Sequence, residues 1–160
     1  HGGSLRVWLA HQGAVERVSA VDAVLAAEAA VGLETLEAFA GFQQKAESAK
    51  HALLEFLLAA KNQGRRVLGY GAAAKGNTLL NYAGIQADLL ASVADRALSK
   101  QGKLLPGSHI PVISPEQLVS ETVDSLLVLP WNLIKELRHQ FPRTELVTAI
   151  PELRHWGEVD

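Results

Sequence analysis

The glycine-rich segment 69–74 is the clearest chemical motif in the chain. It reads Gly-Tyr-Gly-Ala-Ala-Ala and matches G-x-G-x-x-G/A between a predicted strand and a predicted helix. In such a turn, small residues let backbone N–H groups and a helix N-terminus face a phosphate. Alone, the motif suggests a nicotinamide or flavin cofactor, with Asp95 about where a ribose-binding acid belongs. The alternative is that small residues only allow the helix and the strand to pack closely.

Lys75 follows this segment at the start of the predicted helix. The order Lys75-Gly76-Asn77 excludes a Walker A loop, which requires Gly-Lys-Ser/Thr. A cation here opposes the helix dipole, so a nearby anion would account for it, although a solvated lysine is the other interpretation. The polar loop from Lys100 to His109 contains two glycines and one proline, and such loops often bind ligands. A surface excursion without a ligand is the alternative for this loop.

Metal and thiol chemistry have little support in the sequence. The chain has no cysteine, which excludes a disulfide framework, thiolate zinc ligands and cysteine catalysis. Its six histidines show no metal-binding spacing, so we predict no metal site. His1 and His11 flank the first predicted strand. Histidine can act as a general base near neutral pH, although a lone histidine is more often structural.

Strands and helices alternate from residue 64 onward. Apolar runs predict strands at 65–71, 89–95, 110–113, 125–130 and 145–150, separated by helices at 75–82, 114–118 and 132–141. This order predicts an α/β fold that is Rossmann-like and doubly wound, with a mainly parallel sheet flanked by helices. Ligands bind such sheets outside the carboxyl ends of the strands. Asp95, Trp131, Asn132 and Glu152 follow predicted strands at that edge.

The first 63 residues have a different pattern. Alternating apolar side chains predict a short strand at 4–10, and Ser19 and Asp22 have the spacing of a capping box. Apolar residues three and four apart from Phe39 to Ala60 predict one continuous amphipathic helix. Running to Lys61, this long N-terminal helix would measure roughly 45 Å. We therefore expect part of it to brace a neighbouring domain.

Composition is ordinary for a globular domain. The chain has 160 residues, of which 48% are hydrophobic and 20% charged. A net charge of −2 gives no general attraction to nucleic acid or anionic membrane, and no apolar run is long enough to span a bilayer. Because methionine is absent, we expect an excised part of a longer protein. The absence of cysteine fits a cytoplasmic location.

Seven segments, in order along the chain, resemble one enzyme family. They are His1–Arg6, Gly69–Tyr82, Asp95–Arg96, Lys100–Gly102, Leu105–Pro111, Leu129–Asn132 and Ile150–Leu153. Together they resemble the C-terminal domain of SAM-dependent C-methyltransferases acting on nucleotide-linked deoxysugars, over essentially the whole chain. The resemblance implies a zinc-binding region and a SAM-binding methyltransferase domain outside this chain. It also implies that the glycine-rich segment holds the pyrophosphate of a thymidine-diphosphate-type sugar rather than NAD.

The resemblance further implies roles for individual residues. In this family a base removes a proton beside a 4-keto group, and the enolate attacks the SAM methyl. His11 matches that base and His1 is the second candidate, while Ala10 stands where an acid is expected, a departure that puts C-3 methylation of the sugar in doubt. The candidate nucleotide-sugar-binding residues are Gly69, Gly71, Ala72, Ala73, Lys75, Gly76, Asn77, Asp95, Lys100, Gly102, Pro106, Gly107, His109, Trp131, Asn132 and Glu152.

The expected organisation has three parts. Residues 1–18 would be a strand and connector from a missing methyltransferase domain, 19–63 a long helical segment, and 64–160 a Rossmann-like domain, with 18–160 packing as one unit. The missing domain would bind SAM, and the partners would be that domain and a nucleotide-diphosphate sugar, with no nucleic acid and no membrane. Two alternatives remain open. They are an NAD(P)-binding domain of an oxidoreductase, and a non-catalytic interaction module whose long helix docks a partner.

Overall fold

A computed structural model describes residues 4–157 of the chain. The chain divides between residues 46 and 47 into two compact units, and the whole β-sheet belongs to the second. The first unit contains α1 (Ser19–Ala30) and a 3₁₀ turn (Leu36–Phe39), neither of which has a buried residue. The first unit therefore has little core of its own in its described residues.

Two predictions for the first unit are wrong. Residues 4–10 form no strand, because an alternating segment also needs a neighbouring strand to pair its backbone groups. The predicted capping box of α1 is also absent. Val18 is the N-cap and makes no side-chain cap bond, and Asp22 instead accepts a hydrogen bond from Arg17 at 2.5 Å.

The predicted long helix is interrupted before residue 42. Gly41, at φ 80°, separates the 3₁₀ turn from α2 (Phe42–Asn62). With 21 residues, α2 is about 31 Å long rather than roughly 45 Å. The apolar stripe is confirmed only in the C-terminal part of α2, where the buried residues are Ala49, Leu53, Phe56, Leu57 and Ala60.

The second unit is built on a six-stranded, mostly parallel sheet. Its strands are β1 (Val67–Tyr70), β2 (Val93–Ala94), β3 (Val112–Ile113), β4 (Ser125–Val128), β5 (Glu145–Thr148) and β6 (Arg154–Trp156). They lie in the order β3-β2-β1-β4-β5-β6; only β6 is antiparallel to its neighbour. The direction of the strand order reverses between β1 and β4. The prediction of a mainly parallel sheet flanked by helices is confirmed.

Helices cover the sheet through two separate apolar clusters. One cluster joins the buried side chains of α2 with those of α3 (Ala74–Ala83), and the other contains side chains of α4 (Pro115–Val119) and α5 (Ile134–Gln140). Successive strand residues alternate between the clusters: Leu126 belongs to the second and Leu127 to the first. This is the period of two that a strand buried on both faces requires.

A charged network links the amino ends of β1, β4 and β5 and includes His155 of β6. Glu145 at the start of β5 accepts hydrogen bonds from Arg65 at 2.6 Å and from the Ser125 hydroxyl, and it pairs with His155 of β6 at 2.8 Å. Arg65 also donates to Ser125 at 2.8 Å. Partial burial opposes ionisation of Glu145, but the bonds from Ser125, His155 and Arg65 outweigh it and hold its pKa below its usual value.

Several finer predictions can be compared with these elements. The capped start of α4 is confirmed, since the Ser114 side chain and the Gln117 side chain each bond the other's backbone N–H, with Pro115 in the first turn. The strand predicted at 89–95 shortens to β2, and β6 was not predicted at all. None of the helices in the described part of the chain is both long and apolar enough to cross a membrane.

Candidate functional site

The candidate site lies at the carboxyl edge of the sheet, where the loops after β1 and β4 touch. A Cβ atom added to Gly71 would lie 2.5 Å from Pro130 Cδ, and one added to Gly76 would lie 2.6 Å from Leu129 Cβ. At Gly69 an added Cβ would lie 2.7 Å from Val93 Cγ2. The small residues of the motif are therefore needed for close packing, as the alternative interpretation of the motif holds. The same packing brings the start of α3 next to the loop after β4.

Asp95, directly after β2, accepts hydrogen bonds from other groups of the protein. Its Oδ2 accepts the Ala72 N–H at 2.7 Å and pairs with Lys100 Nζ at 3.1 Å, and its Oδ1 accepts the Ala97 N–H at 2.8 Å. The Asp95 side chain is only 12% exposed. Partial burial opposes ionisation, but the bonds from Ala97, Lys100 and Ala72 outweigh it and lower the pKa of Asp95. Asp95 is therefore ionised and holds the glycine-rich loop through its hydrogen bond with the Ala72 N–H.

The 100–109 loop reaches this region at two points. Lys100 Nζ donates to the Ala72 carbonyl at 2.8 Å, so both polar groups of Ala72 are held by Asp95 and Lys100. Farther along, Asn81 Nδ2 of α3 donates to the Pro106 carbonyl at 3.0 Å. A Cβ atom on Gly107 would lie 2.1 Å from Asn81 Oδ1, so the loop lies directly against α3.

Other residues of this loop are less engaged. His109 is exposed and adopts a left-handed backbone with φ 54°, and its N–H bonds the Leu105 carbonyl at 3.0 Å. Left-handed backbone at a residue other than glycine is uncommon and is found more often at functional sites. Gly102 is exposed on the same loop, and its N–H donates to the Val112 carbonyl at 2.9 Å.

The N-terminus of α3 is the clearest anion-binding feature of this edge. Its N-cap, Ala73, offers no side-chain cap, so the N–H groups of the first turn have no partner within the helix. Lys75 in that turn is exposed, and its Nζ lies 5.9 Å from the centroid of the Trp131 ring. Asn77 is half-buried, with an Oδ1 atom that is buried and unpartnered. Free N–H groups, the helix dipole and an adjacent lysine all favour a negative ligand.

A crevice of about 390 Å³ opens beside this helix end. It lies at the carboxyl ends of β1 and β4, where the strand order reverses, the position at which open parallel sheets bind ligands. The crevice is lined by Tyr70, Gly71, Ala73, Asp95, Arg96, Pro130, Asn132, Leu133, Glu136 and Leu137. Gly71, Ala73, Asp95 and Asn132 were predicted as site residues. Arg96 belongs to one of the segments that carry the family resemblance but was not among the predicted binding residues; it bonds Gln140 at 2.5 Å and lies 3.5 Å from Glu136.

Some predicted residues lie elsewhere. Glu152 follows the cis peptide bond between Ile150 and Pro151, pairs with Arg154 at 2.5 Å and does not line the crevice. His11 is exposed in the first unit, and His1 lies outside the described residues. Within residues 4–157, no group of three or more His, Asp or Glu side chains could hold a metal ion.

Comparison with known proteins identifies the family. Residues 1–151 match the family model of the C-methyltransferase C-terminal domain. The chain is also similar to the C-methyltransferase NovU of Streptomyces niveus, with 36% identity over 138 residues. That match covers 86% of this chain and 33% of the relative, so the chain spans about a third of the relative's length. The chain belongs to the C-methyltransferase C-terminal domain family.

Proposed function

We propose that this chain is the substrate-binding domain of a SAM-dependent C-methyltransferase and that it positions a nucleotide-diphosphate keto-deoxysugar. The observation that carries the proposal is the uncapped N-terminus of α3, with Lys75 in its first turn, beside the crevice at the reversal of strand order. This arrangement suits a pyrophosphate, since backbone N–H groups and a cation would meet its oxygens. In this proposal the sheet is a doubly wound, Rossmann-like sheet.

The residues of this edge do not fit SAM or NAD as ligands. Both carry an adenosine ribose, which Rossmann-type sites bind through an acid near the end of β2. Here that acid is Asp95, whose oxygens already accept bonds from Ala72, Ala97 and Lys100. We therefore place SAM, the methyl donor, on a methyltransferase domain outside this chain.

The first unit supplies the features that would meet such a domain. Its large apolar side chains are exposed, among them Trp8 at 84%, Leu9 at 92% and Leu36 at 87%. Contiguous exposed apolar surface typically marks a contact with another protein surface, and we propose that these side chains form such a surface for the missing domain. His11 lies in the same unit and is the proposed base for the proton beside the 4-keto group, with Ala10 where the family resemblance expects an acid.

Calorimetric titration of the chain with thymidine diphosphate tests the proposal. Binding is expected, and Lys75→Met should weaken it about 10-fold, since a charge-assisted contact to a phosphate is lost. Folding stability should change little because Lys75 is exposed. NAD(H) should not bind. Affinity for NAD(H) without affinity for thymidine diphosphate would replace the proposal with a dinucleotide-binding function.

The matched control is Lys103→Met. Lys103 is also exposed, and in the described part of the chain its side chain makes no hydrogen bond or ion pair. The substitution removes the same charge from the domain without touching the start of α3. If Lys103→Met weakened binding as much as Lys75→Met, the loss would come from overall charge or from the 100–109 loop, and the helix terminus would not be the main binding site.

A further inference from the structure

Asp95 and Lys100 form a pair that encloses one peptide unit of the glycine-rich loop. We propose that these two residues are positioning residues, which fix the backbone ahead of α3 and act on the ligand only through that backbone. The inference rests on the proposed function, since the positioned groups are the N–H groups at the start of α3. It gives Asp95 a role different from that of a ribose-binding acid.

The hydrogen bonds of Asp95 leave it little capacity for a ligand. A carboxylate offers about four acceptor positions, and three of those on Asp95 are filled by the Ala72 N–H, the Ala97 N–H and Lys100. Most of the side chain is also covered, with 12% exposed. A bound anion would be repelled by this carboxylate if it were not neutralised, and Lys100, 3.1 Å away, supplies the opposite charge.

The position of Lys100 explains how the pair controls the helix terminus. Its ammonium group donates to the Ala72 carbonyl at 2.8 Å, while Asp95 accepts the Ala72 N–H at 2.7 Å. Ala72 is thus held at both polar groups, and α3 begins two residues later at Ala74. Pro130 also packs closely against Gly71, the residue before Ala72. The direction of the first free N–H groups of α3 therefore depends on the pair.

The first test requires no ligand. Amide hydrogen exchange of Ala72 is measured by NMR on the 160-residue chain and expressed relative to Leu127, a buried residue of β4 that reports global opening. Asp95→Ala should speed relative exchange of Ala72 at least about 10-fold, because a bond to a charged acceptor is lost. Lys103→Met should leave it unchanged. An unchanged ratio in Asp95→Ala would overturn the positioning role.

The second test separates positioning from direct contact. Thymidine diphosphate affinity is measured for Lys100→Met, for Asp95→Asn and for the double variant. Two residues that act through one shared element give non-additive losses. We expect Lys100→Met alone to weaken thymidine diphosphate binding about 10-fold. In the Asp95→Asn background the same substitution should weaken binding less than about 2-fold, because it then leaves no unpaired carboxylate. Equal losses in both backgrounds would mean that Lys100 acts independently of Asp95 and would overturn the inference that the two residues act as a pair.

The two tests can fail independently. If the wild-type chain bound no thymidine diphosphate, the proposed function would fail, while the exchange of Ala72 would still decide whether Asp95 and Lys100 hold the loop. If thymidine diphosphate bound but Ala72 exchange did not depend on Asp95, the proposed function would stand and the positioning role would be refuted.

Discussion

The contact between Gly71 and Pro130 makes a quantitative prediction for Gly71→Ala. Gly71 has φ 86°, and a left-handed backbone costs a residue with a Cβ about 1–2 kcal/mol. The new Cβ would also lie 2.5 Å from Pro130 Cδ and 2.7 Å from Pro130 Cγ, which are atoms of a rigid ring. Overpacking of this kind costs about 1–3 kcal/mol. Both terms have the same sign, so the free energy of unfolding should fall by about 2–5 kcal/mol.

Urea unfolding is the assay, with Gly84→Ala as the matched control. Gly84 ends α3 at φ 69°, but an added Cβ there would meet no atom within 4 Å. Gly84→Ala therefore carries only the conformational cost of about 1–2 kcal/mol. The difference between the two variants measures the clash with Pro130. If Gly71→Ala lost no more stability than Gly84→Ala, the two loops could separate freely, and the argument that their contact shapes the site would be refuted.

Three further predictions concern stability. The pKa of Glu145 is held below its ordinary value, so its stabilising effect is complete above that ordinary value and is lost as the pH falls through the lowered pKa. Urea unfolding between about pH 7 and pH 3 should show this loss of stability, and in Glu145→Gln the loss should be smaller. Leu53→Ala should lower the free energy of unfolding by about 2–5 kcal/mol, because Leu53 is fully buried. A smaller loss, measured by urea unfolding, would mean that the core collapses around the cavity. Ser114→Ala should lower the free energy of unfolding by about 0.5–2 kcal/mol in the same assay, because it removes the N-cap of α4. Ser114→Asp keeps a cap acceptor and should lose much less stability.

Sequence patterns predicted the strands and helices of the second unit well, because each element is indicated by a short apolar run within its own residues. The apolar runs around Leu68 and Leu127, each followed by a helix-sized segment, were enough to predict parallel strands and their carboxyl edge. β6 was missed because Arg154–Trp156 is three residues long with mostly exposed side chains, so it lacks an apolar run. Its place in the sheet comes from pairing with β5 and from the bond between Trp156 and Thr148 at 3.0 Å.

The candidate site was predicted in position but not in detail. The glycine-rich segment, Asp95 and Asn132 do lie at one edge, as expected for residues that follow parallel strands. The partners of Asp95 were not predictable. One is Ala72, 23 residues earlier, and another is Lys100, in an irregular loop whose conformation cannot be read from a periodic sequence pattern. The first unit was predicted poorly for a related reason: periodicity indicates which residues share a face, but not where glycines such as Gly41 interrupt the helix.

The separation of the two ends of the sheet has a consequence for how this domain can evolve. The ion-pair network around Glu145 lies at the amino ends of the strands, whereas the crevice lies at their carboxyl ends. Four-residue strands at about 3.3 Å per residue place the two ends about 10–13 Å apart. Changes at such distances usually add independently. Exposed positions at the carboxyl edge, such as Lys75, can therefore change during evolution without weakening the network around Glu145.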